Sequence, residues 1–143
     1  LKNGESNVME SLFSNEYVYI AAYCSVALLC TIVFLTIFEL VTKYRNWEEI
    51  KNGNLAVALA TGGKIFAIAN IFRYSILQHN SLITMIFWGV FGFALLIAVY
   101  FIFEFLTPGF KVDEELKKDN RAVGFIAMII SIAVSFIIGA GIS

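Results

Sequence analysis

Charged residues are scarce in this sequence, and neither sign of charge dominates. Asp, Glu, Lys and Arg make up 15% of the 143 residues and the formal net charge is −1, whereas an ordinary soluble domain is about 25% charged. Without a broad basic surface, the protein is not expected to bind nucleic acid. The two cysteines, Cys24 and Cys30, are six positions apart in an apolar stretch. That spacing puts them on different faces of a helix, so we expect neither a disulfide nor a metal site there.

Residues that usually carry catalysis are equally sparse. His79 is the one histidine, and no Ser/His/Asp set or metal-ligand spacing is visible. The GGK at 62–64 is not a phosphate-binding loop, because Ala58 and Ile65 stand where that motif needs Gly and Ser or Thr. We therefore expect a protein that is not an enzyme and that has no catalytic residues, no metal and no cofactor.

Apolar residues, by contrast, are abundant and occur in long runs. They form 59% of the chain, and the mean hydropathy is +0.81. Each run is long enough to cross a bilayer as a helix. The predicted spans are residues 17–38, 55–77, 82–106 and 122–142. A polar, acidic segment, residues 1–16, precedes them, and a tight turn at 78–81 joins the second and third. The predicted fold is an all-α integral membrane four-helix bundle in a lipid bilayer.

The basic residues between the spans predict the orientation. Two connectors, residues 39–54 and 107–121, contain most of the Lys and Arg: Lys43, Arg45, Lys51, Lys111, Lys117, Lys118 and Arg121. Short loops rich in these residues stay cytoplasmic. We expect both connectors inside, both termini outside, and an inner (plasma) membrane location. Tyr44 and Trp47 are predicted interfacial anchors at the inner edge, and Arg73 at the outer edge.

The chain contains an internal repeat. FELVT at 38–42 matches FEFLT at 103–107, and EEIKNGNLAV at 48–57 matches EELKKDNRAV at 114–123. We therefore expect two tandem transmembrane hairpins, residues 17–77 and 82–143, related by a pseudo-two-fold axis along the membrane normal.

The connectors also carry helix-capping signals. Asn46 followed by Glu49 predicts a capping box at the start of a short helix. Asn54 and Asn120 are predicted to cap the second and fourth spans. The exposed amides at these helix starts give Asn54 and Asn120 an alternative role in holding an anion.

The motifs KNGNLAV (51–57) and KKDNRAV (117–123) resemble the bacterial membrane proteins grouped as domain-of-unknown-function 350. Members of that family are similar in having two tandem two-helix units, each with such a motif entering its second helix. The resemblance extends from about residue 17 to the end. It implies a small four-span inner-membrane protein of prokaryotes and carries over no catalytic role.

Lys64 is the most unusual residue in the spans. It lies about ten residues into the second span, near the middle of the bilayer. A charge at that depth usually faces protein or water. Because the side chain leans towards the start of its helix, we predict a pair with Glu39 or Glu104, directly or through water. Snorkelling to headgroups and a role in an ion pathway are the alternatives.

Small residues predict which spans pack together. The fourth span has a stripe of them at four-residue spacing: Ala127, Ser131, Ser135 and Gly139. Such stripes allow close helix packing, so we expect the second and fourth spans at the centre. The third span is rich in Phe and Trp, which should face lipid or another subunit. So small a bundle favours a homo-oligomer.

Two functions from different classes fit these features. The first is a self-associating membrane scaffold or assembly protein, or a protein of the envelope-stress type, whose connectors meet a cytoplasmic protein partner. The second is a small oligomeric ion channel or transporter that uses Lys64 with Glu39 and Glu104.

Overall fold

The computed structural model describes residues 2–78, 81–107, 109 and 111–142, and over these ranges it consists of helices with short links. The seven helices found there are α1 (Lys2–Phe13), α2 (Glu16–Val41), α3 (Asn46–Lys51), α4 (Leu55–Gln78), α5 (Leu82–Leu106), α6 (Val112–Lys117) and α7 (Arg121–Ile142). The predicted all-helical fold is confirmed. The two-hairpin symmetry stays a prediction, and His79 in the predicted outer turn lies outside the described residues.

Four of these helices, α2, α4, α5 and α7, are long and apolar enough to cross a membrane. Their starts fall within one residue of the predicted spans, while α2 continues to Val41. Glu39 therefore belongs to α2. The first connector is residues 42–54 and the second connector is residues 107–120.

The α4 helix is the most buried span, and α7 packs along it, while α2 and α5 contact α4 and each other. Small residues allow this contact. A Cβ placed on Gly63 of α4 would lie 2.6 Å from Met128 Cα of α7, and one on Gly124 of α7 would lie 2.6 Å from Ala56 Cα of α4. The two backbones therefore touch at two places, as small residues permit in membranes.

Stacked aromatic rings fill the space between α2, α4 and α5. Phe34 stacks on Phe93 with ring centroids 4.2 Å apart and on Phe72 at 5.6 Å. Phe38 meets Phe93 and Tyr100 edge-on. Phe93 is thus a core residue, although the third span's aromatic side chains were predicted to face outward. Phe87, Phe91, Phe101 and Phe105 of the same helix are exposed.

Two polar side chains inside the spans form hydrogen bonds between helices. Asn70 on α4 donates to the Ser135 hydroxyl on α7 at 3.0 Å, and Ser75 on α4 donates to the Met85 carbonyl on α5 at 2.8 Å. In hydrocarbon an unpaired polar group is costly, so such bonds help to fix which faces meet.

Candidate functional site: a buried lysine beneath two connectors

Lys64 projects from α4 into the protein interior. Only 5% of it is exposed. Its Nζ donates a hydrogen bond to the Tyr44 hydroxyl at 3.1 Å. Three rings surround the ammonium, with centroids 5.0 Å away for Phe38, 5.3 Å for Tyr44 and 5.8 Å for Tyr100. Aromatic faces attract cations at such distances, most strongly where water is excluded.

Tyr44 comes from the first connector and reaches down to this lysine. Only 4% of it is exposed, so its predicted role as an interfacial anchor is wrong. Its hydroxyl contacts the Lys64 ammonium, which is buried in the protein. A ring anchored at the lipid surface could not reach that position. Burial raises the pKa of the Tyr44 phenol above its usual range, and the carboxylates of Asp113 and Glu104 raise it further. The phenol therefore stays protonated and keeps a hydrogen to donate.

Asp113 holds the second connector against the same cluster. Its carboxylate accepts a hydrogen bond from the Tyr100 hydroxyl at 2.5 Å and another from the Lys43 backbone N–H at 3.0 Å. The residue is buried. In the sequence, Asp113 is one of the acidic residues in the first turn of α6. One feature of the sequence could have drawn attention to Asp113. It departs from the internal repeat, because Trp47 stands at the matching position of the first connector.

The predicted direct pair between Lys64 and Glu39 or Glu104 is not formed. Among the described residues, the ion pairs lie on or beside the connectors and are largely exposed, as between Arg45 and Glu48. Glu39 and Glu104 are half-buried, and Oε2 of Glu104 has no hydrogen-bond partner in the described part of the chain. The phenol and the ring faces take the place of the expected carboxylate.

A cavity of about 40 Å³ adjoins the ammonium between α2, α4, α5, α7 and the connectors. Lys64, Tyr44, Tyr100 and Ser131 are the polar residues of its lining, and the others are apolar. The Ser131 hydroxyl donates to the Ala127 carbonyl of its own helix at 2.9 Å. Lys64 is the one charged residue of the described lining.

The two connectors are also joined to each other. Asn54 Nδ2 donates to the carbonyls of Leu116 at 2.9 Å and Lys117 at 3.2 Å. In return, Asp119 accepts from the Ala56 N–H at the start of α4, at 2.9 Å. That bond holds the pKa of the Asp119 carboxyl below its ordinary value, with further help from Arg121. Each connector thus supplies a side chain that satisfies backbone groups of the other half of the chain.

The connectors share one local hydrogen-bond pattern. Asn54 Oδ1 accepts from the Val57 N–H at 2.9 Å, and its Nδ2 donates to Glu49 at 3.1 Å. Asn120 makes the corresponding bonds to Val123 at 3.4 Å and Glu115 at 2.8 Å. Both asparagines therefore satisfy amides at the starts of α4 and α7.

The capping box predicted at Asn46 is wrong. Asn46 is the first residue of α3 and is buried, and its Oδ1 has no hydrogen-bond partner among the residues described. Arg45 occupies the cap position. The Glu49 carboxylate accepts a hydrogen bond from the Asn54 side chain, whereas a capping box would require it to accept one from the Asn46 backbone N–H.

The other predicted residues lie at the surface, in the contact between α4 and α7, or in the lining of the cavity beside Lys64. Trp47 and Arg73 are exposed, and the Arg73 guanidinium lies 5.3 Å from the Tyr74 ring. In the predicted stripe, Ser135 and Gly139 are buried against α4, where a Cβ on Gly139 would collide with the Tyr74 ring. Ala127 and Ser131 line the cavity.

Four apolar helices with their charged residues concentrated in the connectors define an all-helical, multi-pass membrane protein. Comparison with known proteins agrees. The chain belongs to the family described as Domain of Unknown Function (DUF350), which matches residues 11–142. It is similar to UPF0719 transmembrane protein YshE of Bacillus subtilis (strain 168), with 64% identity over 134 residues that cover 94% of this chain and 100% of the relative. No solved structure matches the chain.

Proposed function

We propose that this protein is a non-enzymatic, self-associating scaffold of the inner (plasma) membrane, with its connectors in the cytoplasm and its termini outside. The interlock between the connectors carries this proposal. Side chains that could have stayed mobile at the surface are instead bound across the chain, Asn54 to Leu116 and Asp119 to Ala56. A fixed surface of this kind binds a partner without a large ordering cost.

The charges of this surface support a protein partner on the cytoplasmic side. One open groove at the first connector is lined by both signs of charge: Glu39, Glu48 and Glu49 together with Lys43, Arg45 and Lys117. Mixed charges favour orientation and partner choice more than raw affinity. The excess of Lys and Arg in both connectors supports the cytoplasmic placement.

Self-association is supported by the exposed face of α5. Phe87, Phe91, Phe101 and Phe105 are exposed and fall on one side of that helix. Aromatic rings bury a large area with few rotatable bonds, which suits contact between copies of the chain.

Photocrosslinking in cells tests this proposal. A photoreactive residue at Glu48 or Glu114, both exposed on the connectors, should give discrete products, and one at Phe91 should give a dimer. The control position is Leu28, exposed on α2. The Asn54→Ala change should weaken the connector products while leaving the Phe91 dimer. Connector positions that crosslink only to lipid would contradict the scaffold.

A small oligomeric channel or transporter is the second candidate, and one observation favours it. Lys64 is a buried charge near the middle of a span, and intramembrane charges commonly mark ion pathways. Ion flux into liposomes containing the protein should then change in Lys64→Met. Flux no greater than in protein-free liposomes would exclude this candidate.

A further inference from the structure

Lys64 and Tyr44 have hydrogen-bond donors beside the cavity that are not bonded to any described residue. An ammonium has three N–H groups and a phenol has one O–H. One ammonium N–H goes to the Tyr44 oxygen. The remaining ammonium hydrogens and the Tyr44 hydroxyl hydrogen have no acceptor among the residues that the structure describes. Buried donors are normally satisfied, by protein, water or ligand.

The described lining of the cavity carries no negative charge. Lys64 is the charged member of the lining, and the remaining side chains there are mostly apolar. Asp113 lies outside the lining but is close enough to act electrostatically on Lys64 and Tyr44, and its carboxylate is bound by Tyr100 and by the Lys43 backbone. In a region of low dielectric, an ammonium that no carboxylate contacts directly still attracts an anion.

We propose that this cavity binds one small monovalent anion, of the size of chloride, between the Lys64 ammonium and the Tyr44 hydroxyl. The volume limits the ligand to a small one, since about 40 Å³ is the space of about three waters at 10–15 Å³ each. Lys64 is the one positive charge of the described lining, so phosphate or sulfate would leave more charge unbalanced in an apolar setting than a monovalent anion. The site is independent of self-association and requires no transport.

Halide titration of the purified protein tests the site. The unfolding temperature in detergent is recorded while sodium bromide replaces sodium gluconate at constant ionic strength. The wild-type protein should be stabilised in a saturable way. Lys64→Met should abolish the rise, and Tyr44→Phe should weaken the apparent affinity about tenfold, because one hydrogen bond to a charged ligand is lost. Lys51→Gln, an exposed change on the first connector, should behave as wild type.

Crystals soaked in sodium bromide give an independent readout that needs no variant. Anomalous density is expected beside Lys64 Nζ and Tyr44 Oη. An unchanged bromide response in Lys64→Met would overturn the site, as would bromide density only at the protein surface. Because equilibrium binding is measured, its failure says nothing about the scaffold.

Discussion

At the scale of single residues, Lys64 illustrates how a membrane protein keeps a charge without an ion pair. Placing Lys in the middle of a span costs about 2.5–3.5 kcal/mol. A hydrogen bond to a charged group contributes about 1.5–3 kcal/mol, and a desolvated cation–π contact about 2 kcal/mol. Tyr44, Phe38 and Tyr100 supply these contacts. The phenol and the rings therefore offset a cost of the same size.

This balance predicts an asymmetry between two variants. Tyr44→Phe leaves the ammonium without its hydrogen bond and should lower the free energy of unfolding by about 1.5–3 kcal/mol. Lys64→Met removes the charge itself and should change it by less than about 1.5 kcal/mol. Unfolding in mixed micelles measures both, and the double variant should be more stable than Tyr44→Phe alone. A greater loss in Lys64→Met than in Tyr44→Phe would contradict this account.

At the scale of elements, the contact between α4 and α7 depends on glycines at particular places. Gly62 and Gly63 are neighbours in sequence, yet a Cβ on Gly62 would meet nothing within 4 Å, whereas one on Gly63 would meet the Met128 backbone at 2.6 Å. The backbone of α7 cannot yield as the end of a flexible side chain can.

Two adjacent substitutions therefore should act in opposite directions. Gly63→Ala should destabilise the protein by about 1–3 kcal/mol, because the two helices are forced apart. Gly62→Ala should stabilise it by up to about 1 kcal/mol, through helix propensity alone. Thermal unfolding of the two variants in one detergent provides the comparison. Equal effects would mean that the two helices do not touch at Gly63.

Much of the helix arrangement could be predicted from the sequence, but the partner of Lys64 could not. Hydrophobic runs located the four spans, since the bilayer demands that length and composition. The small residues of α7 likewise favoured its packing on α4. Tyr44, however, reads like an interfacial aromatic residue, and only the folded connector brings its hydroxyl to Lys64. Asp113 similarly reads as a helix-start residue, and its bonds to Tyr100 and Lys43 depend on how the connectors meet.

The connection between the second connector and α4 predicts a pH effect at acidic pH. Because the pKa of Asp119 in the folded protein is below its ordinary value of 3.8, this carboxylate stabilises the fold at pH values above 3.8. That contribution is lost as the pH falls through the lower, folded pKa. Asp119→Asn tolerates the same left-handed backbone, at φ 60°, but cannot titrate.

The wild-type protein should therefore be more stable than Asp119→Asn at about pH 7, and the difference should shrink towards about pH 3. Unfolding temperatures of both proteins at matched ionic strength measure this. A difference that stays constant over the range would show that the carboxylate charge has no role.

At the scale of the whole molecule, the charges are concentrated at one end of the bundle. Arg45, Glu48, Lys111 and Glu114 all lie on the connectors, paired and largely exposed. The outer faces of the spans are mainly apolar, with Arg73 as an exposed charge on α4. Such a distribution gives the protein two unlike ends with respect to the bilayer.

Labelling with a membrane-impermeant maleimide tests which end faces the cytoplasm. In a background with Cys24 and Cys30 replaced by Ala, the variant N3C should react in intact protoplasts, because the basic connectors stay inside. The variants E48C and K117C should react only after lysis. Reaction of E48C before lysis would reverse the proposed orientation.

One consequence follows from Tyr44 belonging to a connector while its hydroxyl meets a residue well inside a span. Lys64 lies about 14 Å along α4 from the first residue of that helix. A partner that drew the first connector outward by a few ångströms would break the bond to Lys64 and uncover the ammonium. Events at the membrane surface would thus be transmitted mechanically to the bilayer interior by a single side chain, with no shift of the helices themselves.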